Sequence, residues 1–532
     1  MPTNALDVSR QTLLILLPEL LILLTATVMM TAGAFVRLPR RTWCATAAGA
    51  LIAALLALIA LRHQTTDLYS AVALNDAFSG YARLGLLLSA LVLLALAHDQ
   101  VDDSRAPEFF GALLMINAGS MLVASANELI FLFVGLELVS IPTYLLLYLS
   151  RRDAGTQEAA TKYFFLSIFS SGLLLYGLAF LYGLTGVSNL KALTFLASAP
   201  AGGLQTQLGL IAVVFVMAGL GFRVAAVPFH FYAPDVYQGS PTILAAMLAW
   251  VPKAIGFLAI IRTLTAVVSV AGREDPLPQK AMMLAWVIAV VTMTLGNTVA
   301  LMQENLKRLL AYSSIAHAGY MMIGVAVAFR NAPGSGGVFL GSESILFYLA
   351  AYALMTLGVF GVILALSTRE RPIESVDDLA GLARSQPAAA LAMALCLFSL
   401  AGIPPLVGFW GKLQLFASAF AATRAEDARM FHVLAVIGAL NAAIGAYYYL
   451  RIVVVMYLRP PLIAEPIQAK AGWPTIAAVG ACASLSLVLG LFPQPISRAT
   501  REAAEAASAH PSPVSETRPL ASAPSIAPAV AR

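Results

Sequence analysis

The stretch that decides the fold is Gly219–Pro241, GLGFRVAAVPFHFYAPDVYQGSP. It begins as a transmembrane helix, carries Arg223 in apolar surroundings and is interrupted at Pro228, with His230 two turns after the arginine. A proline inside a helix removes a backbone hydrogen bond, and hydrocarbon tolerates the freed carbonyl only where it is buried in protein or faces a wet cavity. Transporters build ion sites at such breaks. The segment therefore predicts a broken helix beside an ion site; the alternative is a kinked structural helix with a snorkelling arginine.

Composition places the whole chain in a membrane. Of its 532 residues, 60% are hydrophobic and 11% are charged, and the mean hydropathy is +0.84. This balance predicts an all-α polytopic membrane protein, so the net charge of +5 indicates no affinity for nucleic acid. The three cysteines are scattered through apolar spans without a C-x-x-C pair, and no nucleotide-binding motif is present. We therefore expect no iron–sulfur or zinc site, no redox centre and no nucleotide hydrolysis in this chain.

The apolar runs predict about 14 transmembrane helices. The twelfth run, roughly 388–420, is too long for one helix and contains Gly402-Ile403-Pro404-Pro405, which predicts a second broken helix. Two breaks five spans apart suggest two inverted five-helix repeats. The predicted organisation is helices 1–3 in residues 1–108, helices 4–8 in 109–264, helices 9–13 in 265–457, a last helix in 458–495 and a disordered Ala/Pro/Ser-rich tail in 496–532.

The distribution of lysine and arginine predicts the orientation. The side richer in these residues is expected to be cytoplasmic. On that basis both termini are predicted to face the periplasm.

Four ionisable residues lie well within apolar runs: Glu137, Arg223, Lys253 and Lys412. A charge at the centre of a span costs about 2.5–3.5 kcal/mol on insertion scales. One acid against three bases suggests either bases that spend part of their time neutral, because desolvation disfavours the charged form of a buried lysine, or an anion supplied by another chain. A proton-handling role is therefore favoured over the alternative of structural ion pairs.

The tenth span begins NLKRLLAYSSIAHAGYMM. Lys307 and Ser314 are seven residues apart and share a helix face, and His317 follows on the same stretch. His230 and His317 are the two histidines expected in the interior, and an imidazole titrates near neutral pH. These groups could hold a water wire, or they could be ordinary interhelical hydrogen bonds.

Three stretches, VPFHFYAPDVYQGSPT, NLKRLLAYSSIAHAGYMMIG and LAGIPPLVGFWGKLQLF, resemble the antiporter-like subunits of respiratory complex I, and the first is most similar to their subunit N branch. The resemblance covers roughly residues 109–457. It implies fourteen helices, inverted repeats and discontinuous helices 7 and 12. It also implies a bacterial inner-membrane subunit that translocates protons without a cofactor of its own, while partner subunits of the complex hold NADH, FMN, iron–sulfur clusters and quinone.

The resemblance also implies roles for individual residues. The family's acid in span 5 matches Glu137, and its lysines in spans 8 and 12 match Lys253 and Lys412. Its span 7 lysine falls on Arg223, which is a departure. Two other functions remain open beside a complex I subunit: a subunit of a multi-subunit cation/proton antiporter, and a non-pumping membrane scaffold.

Overall fold

The computed structural model describes residues 5–64, 66, 69–150, 153–193, 203–270, 276–330, 337–368, 372–421, 428–461 and 471–508. Within these residues the protein is helical, and its helices run as follows: α1 (Ala5–Ile15), α2 (Leu17–Gly33), α3 (Arg40–Ala60), α4 (Ala77–Ala97), α5 (Ala106–Ser125), α6 (Leu129–Ser150), α7 (Ala154–Thr185), α8 (Gly203–Val224), α9 (Tyr232–Gly239), α10 (Thr242–Val270), α11 (Leu277–Ala300), α12 (Leu306–Arg330), α13 (Gly337–Leu366), α14 (Leu382–Ser385), α15 (Pro387–Ala401), α16 (Val407–Ala421), α17 (Ala428–Leu458), α18 (Trp473–Leu491) and α19 (Gln494–Ser508).

The prediction of an all-α polytopic membrane protein is confirmed. In the described part of the chain, 12 helices are long and apolar enough to cross a membrane, and the count becomes 13 if α1 and α2, bent by 68°, form one span. The pair α15 and α16 is outside this count because each half is short. Fourteen spans, and the arrangement into inverted repeats, therefore stay predictions.

The seventh predicted span is discontinuous, as expected. Helix α8 ends at Val224, four residues before Pro228, because a proline ring clashes with the carbonyl one turn earlier and lacks the N–H to bond it. The end is a Schellman motif, in which the N–H of Ala226 donates to Gly221 and that of Ala225 to Phe222. Ala225 adopts a left-handed conformation with φ of 58°. Helix α9 then begins at Tyr232.

The twelfth predicted span is discontinuous in the same manner. Helix α15 ends at Ala401, four residues before Pro405, and α16 begins at Val407. The N–H of Ile403 donates to Phe398 and that of Gly402 to Ser399, again a Schellman motif. Here the left-handed position, with φ of 87°, is held by Gly402, the residue for which this conformation carries no steric penalty.

Three helices form the buried centre of the bundle. The apolar windows of α10, α12 and α13 are 100%, 94% and 89% buried inside the protein, against 39% for α7 and α11. Charged and polar side chains on α10, α12 and α13 are therefore shielded from lipid. The two broken helices pack beside this centre, α9 and α16 both against α12.

The prediction that the chain is disordered from residue 496 is wrong for its first part, since α19 spans Gln494–Ser508. Alanine favours helix, and Thr500, Ala503, Ala504 and Ala507 lie at i, i+3, i+4 and i+7 on one buried face that packs on α4 and α13. The ammonium group of Lys191 donates to the carbonyl of Ala507 at 3.2 Å. The prediction rested on the Ala, Pro and Ser content of the tail, which does not show this amphipathic spacing. Residues 509–532 of the predicted tail lie outside the described residues.

Candidate functional site

Arg223 and Glu137 form a buried ion pair between α8 and α6. Arg223 Nη2 donates to Glu137 Oε1 at 2.9 Å and to the Ser171 hydroxyl at 3.1 Å, while Nη1 donates to the Ser140 hydroxyl. Ser171 in turn donates to Glu137 Oε1 at 2.6 Å. The arginine is 3% exposed, and the glutamate side chain is 23% exposed. The carboxylate therefore meets a permanent positive charge and a hydroxyl, and both stabilise its charged form.

Lys253 lies in the fully buried α10 and is 1% exposed. Its ammonium group donates to the hydroxyl of Ser314 on α12, and that hydroxyl lies 3.4 Å from the hydroxyl of Tyr237 on α9. Among the residues that the structure describes, no carboxylate pairs with Lys253. A buried lysine whose partner is a neutral hydroxyl can give up or take a proton without leaving an unpaired acid behind.

Lys412 is held at the break of the second discontinuous helix. It lies on α16, is 5% exposed, and donates to the carbonyls of Leu400 and Ala401 at 2.8 and 2.9 Å. These are the last carbonyls of α15, which carry the negative end of its dipole. Its ammonium group also lies 5.2 Å from the centroid of the Tyr320 ring. Backbone dipoles, not a carboxylate, thus stabilise its charge within the described residues.

His317 lies between the two lysines along a chain of polar groups. It is on α12, three residues after Ser314, and is 1% exposed. Its Nδ1 is 2.6 Å from the hydroxyl of Tyr348 and its Nε2 is 2.8 Å from that of Tyr449. Neither tyrosine was singled out from the sequence, since tyrosines are common in membrane spans and only the packing of α13 and α17 brings these two to the histidine.

Lys307 lies at the start of α12, where a polar cavity of about 510 Å³ opens. Its ammonium group donates to the carbonyl of Ser240 at 2.8 Å, and the cavity is also lined by Asp102, Arg105 and Glu374. Ten residues of helix, about 15 Å, separate Lys307 from His317, which is half of a ~30 Å hydrocarbon core. The structure therefore brings Lys307, Ser314 and His317 onto one line from the cavity to mid-membrane.

His230 is not brought into this line. It lies between α8 and α9, is half-buried, and packs edge-on against Phe231. Its Nδ1 is buried without a hydrogen-bond partner among the described residues. The nearby Asp235 has a structural role instead, since it accepts from Lys162 at 2.8 Å and Arg308 at 2.7 Å and so ties α9 to α7 and α12.

The sequence reasoning missed a second buried ion pair, between Glu19 on α2 and Arg83 on α4. Arg83 Nε donates to Glu19 Oε1 at 2.7 Å, and both residues are 0% exposed. The signal was present, because both charges lie in apolar runs. The pair changes the count of interior charges: Glu19 and Glu137 neutralise Arg83 and Arg223, whereas Lys253 and Lys412 are bonded to neutral groups.

A third ion pair, between Arg262 and Asp76, lies toward the C-terminal end of α10. Arg262 is 4% exposed and donates through both terminal nitrogens to the carboxylate of Asp76, at 2.9 and 3.0 Å, with its guanidinium 4.4 Å from the centroid of the Phe78 ring. Burial by itself would raise the pKa of Asp76, but the Arg262 charge and hydrogen bonds outweigh it and lower that pKa to about 2.

No group of three or more histidine, cysteine or acidic side chains is placed to hold a metal ion in the described part of the chain. Cys396 and Cys482 are buried, and the cysteines there are unbonded. The candidate site is thus built from lysines, a histidine, hydroxyls and backbone carbonyls.

The comparisons with known proteins agree on one family. A family model described as NADH:quinone oxidoreductase/Mrp antiporter, transmembrane, matches residues 126–440. The NADH-quinone oxidoreductase subunit N of Trichlorobacter lovleyi is 38% identical over 448 residues, covering 82% of this chain and 86% of that protein. The subunit N of Paramagnetospirillum magneticum is 35% identical, covering 86% of this chain and 90% of that protein.

Solved structures give the same result. A chain of respiratory complex I from Thermus thermophilus with bound aureothin is 32% identical, with a TM-score of 0.73, covering 90% of this chain and 99% of that chain. A chain of the Mrp complex from Dietzia sp. shares the fold, with a TM-score of 0.79 at 21% identity, covering 94% of this chain and 97% of that chain. The chain described here belongs to the NADH-quinone oxidoreductase subunit N family.

Proposed function

We propose that this chain is the N-type subunit of the membrane arm of a bacterial NADH–quinone oxidoreductase and translocates protons across the inner membrane. Electron transfer from NADH to quinone takes place in partner subunits, which supply FMN, iron–sulfur clusters and the quinone site. We orient the chain so that the side richer in lysine and arginine is cytoplasmic. Both termini then face the periplasm, and the polar cavity at Lys307 faces the cytoplasm.

The observation that carries the proposal is the state of Lys253 and Lys412. Both are almost fully buried, and in the described structure each is bonded to neutral groups rather than to an acid. A structural cation would be paired, as Arg83, Arg223 and Arg262 are. Two buried lysines bonded to neutral groups are suited to exchanging a proton, because losing the proton leaves no buried carboxylate unpaired.

We infer the route from the positions of these groups along α10, α12 and α16. A proton taken up in the cavity at Lys307 passes along α12 to Ser314 and Lys253, then through His317 to Lys412 at the break between α15 and α16. The gaps between these groups need internal water, which also bridges polar groups in other protein interiors. The pair of Glu137 and Arg223 lies beside this route, because Arg223 packs against Gly256 on the helix that carries Lys253.

A cation/proton antiporter built on the same fold is the second candidate function, and deletion of this gene separates the two. Membranes of the deletion strain should lose NADH-driven proton pumping. The wild-type gene should restore the pumping, and native gels should show that it also restores assembly with the other membrane-arm subunits. Sodium/proton exchange by vesicles that lack the NADH-oxidising subunits would instead favour the antiporter.

A further inference from the structure

Two tyrosine hydroxyls enclose the imidazole of His317. Tyr348, on α13, meets Nδ1 at 2.6 Å, and Tyr449, on α17, meets Nε2 at 2.8 Å. The histidine and both tyrosines are at most 1% exposed, so bulk water does not compete for these bonds. The Tyr449 hydroxyl has a further partner, the hydroxyl of Ser313, which lies one turn before His317 on α12.

These partners are unequal, and the inequality fixes the direction of the hydrogen bonds. A neutral imidazole has one N–H donor and one bare acceptor nitrogen. If Nδ1 carried the proton, the Tyr348 O–H would have no acceptor among the described residues, a buried donor left unsatisfied. If Nε2 carries it, Tyr348 donates to Nδ1, Nε2 donates to Tyr449, and Tyr449 donates to Ser313. Ser313 then needs an acceptor of its own, and the neighbouring hydroxyl of Tyr448, which itself donates to Asn297 Oδ1 at 3.0 Å, lies within its hydrogen-bonding reach.

Tyr348 also packs against the broken helix that carries Lys412. Its ring lies directly over Gly411, where a Cβ atom would come within 2.3 Å of the ring carbon Cδ2. Gly411 precedes Lys412 on α16. The tyrosine therefore contacts the histidine on α12 through its hydroxyl and the lysine's helix through its ring.

We propose that Tyr348 is a positioning residue that holds His317 in the Nε2–H tautomer and fixes the position of the imidazole relative to the helix break at Lys412. The inference rests on the proposed proton route, in which His317 connects the two lysines. In this tautomer Nδ1 accepts from Tyr348 and Nε2 donates toward Tyr449 and Ser313, which fixes the direction of the hydrogen bonds through the imidazole. Loss of the Tyr348 hydroxyl would let the imidazole change tautomer and would interrupt this direction.

The test uses Tyr348→Phe in the assembled complex, because phenylalanine keeps the ring contact with Gly411 and removes only the hydroxyl. We expect the tautomer ratio of His317 to shift about fivefold, which corresponds to the loss of one buried hydrogen bond of about 1 kcal/mol, and proton pumping per NADH oxidised to fall. The matched control is Tyr81→Phe, which removes a hydroxyl that bonds the Leu346 carbonyl of the same helix α13 and does not bond His317. Tyr81→Phe should pump as the wild type does.

A spectroscopic measurement separates positioning from general stability. Solid-state nitrogen NMR of the complex with isotope-labelled histidine, assigned by difference against His317→Gln, should show the Nε2–H tautomer in the wild type and a mixture in Tyr348→Phe. Gly411→Ala, which displaces the Tyr348 ring, should give the same mixture while the hydroxyl is still present. An unchanged tautomer in Tyr348→Phe, or wild-type pumping by that variant, would overturn the inference.

A double-mutant cycle distinguishes failure of the inference from failure of the proposed function. If Tyr348 acts through His317, adding Tyr348→Phe to His317→Gln should cause no further loss of pumping. A further loss would contradict the positioning role and leave the proton route intact. Wild-type pumping by His317→Gln alone would instead remove the histidine from the route, and the role of Tyr348 with it.

Discussion

Replacing Arg223 tests how the permanent charge beside Glu137 works. Arg223→Ala leaves the Glu137 carboxylate with one donor, Ser171, in a site where breaking a buried pair costs about 3–5 kcal/mol. The Glu137 side chain is 23% exposed, so we expect the lower end, about 3 kcal/mol. Arg223→Lys keeps the pair and loses the bond to Ser140, which is worth about 1 kcal/mol.

The two variants should therefore differ in activity. Arg223→Lys, which restores the residue usual in the family, should keep most of the proton pumping, and Arg223→Ala should lose most of it. Pumping is measured in inverted vesicles and normalised to NADH oxidation with an artificial acceptor, which reports the partner subunits alone, with assembly checked on native gels.

A third variant provides the control for the charge. Arg223→Ala combined with Glu137→Ala should recover about 2 kcal/mol of the stability that Arg223→Ala loses, because no charge is then left unpaired. Full pumping by Arg223→Ala would refute the reasoning, since the charge would then have no effect on the route. Equal loss in Arg223→Lys and Arg223→Ala would refute it as well, because it would mean that guanidinium geometry and not charge is required.

Three further predictions concern the ion pair of Asp76 with Arg262 and the two helix breaks. The folded-state pKa of Asp76, about 2, lies below the ordinary value near ~3.9, so the carboxylate contributes stability that is fully present above pH ~3.9 and is lost as the pH falls through about 2. In thermal unfolding of the purified complex at neutral pH, Asp76→Asn should therefore lower the transition temperature. An unchanged transition temperature would contradict the pairing of Asp76 with Arg262. Gly402→Ala introduces a left-handed alanine, costing about 1–2 kcal/mol, with a Cβ 3.0 Å from Lys412 Cδ, and should reduce pumping, whereas Gly49→Ala, whose Cβ meets nothing within 4 Å, should not. Ala225→Gly relieves the same strain at the other break and should raise the unfolding temperature; a lower temperature would show that the break is held by its side chain.

The helix breaks could be predicted from sequence because their cause is local. A proline acts on the carbonyl four residues earlier, and α8 and α15 end at Val224 and Ala401 for that reason. The sequence located each break within a few residues. It did not indicate that Ala225 takes the left-handed position that Gly402 holds in the other half, since alanine rarely adopts it.

The partners of the site residues could be predicted only where both carry charge in an apolar run. Glu137 and Arg223 were each singled out as a charge in an apolar run, and Glu19 and Arg83 could have been; the structure shows both to be pairs. The hydroxyls of Tyr348 and Tyr449 gave no such signal, because a tyrosine in a span is equally consistent with packing against a neighbour. Their roles depend on how α12, α13 and α17 meet. The helix Gln494–Ser508 was missed because composition was considered without helical spacing.

The central claim is that protons cross this chain through Lys253 and Lys412. The most direct test is the number of protons pumped per electron by the reconstituted complex that carries Lys253→Met or Lys412→Met, with Lys280→Met, an exposed lysine at the start of α11, as the control. We expect fewer protons pumped per electron in both interior variants, normal NADH oxidation with an artificial acceptor, and the wild-type number of protons per electron in the control. A wild-type ratio in both interior variants would contradict the account.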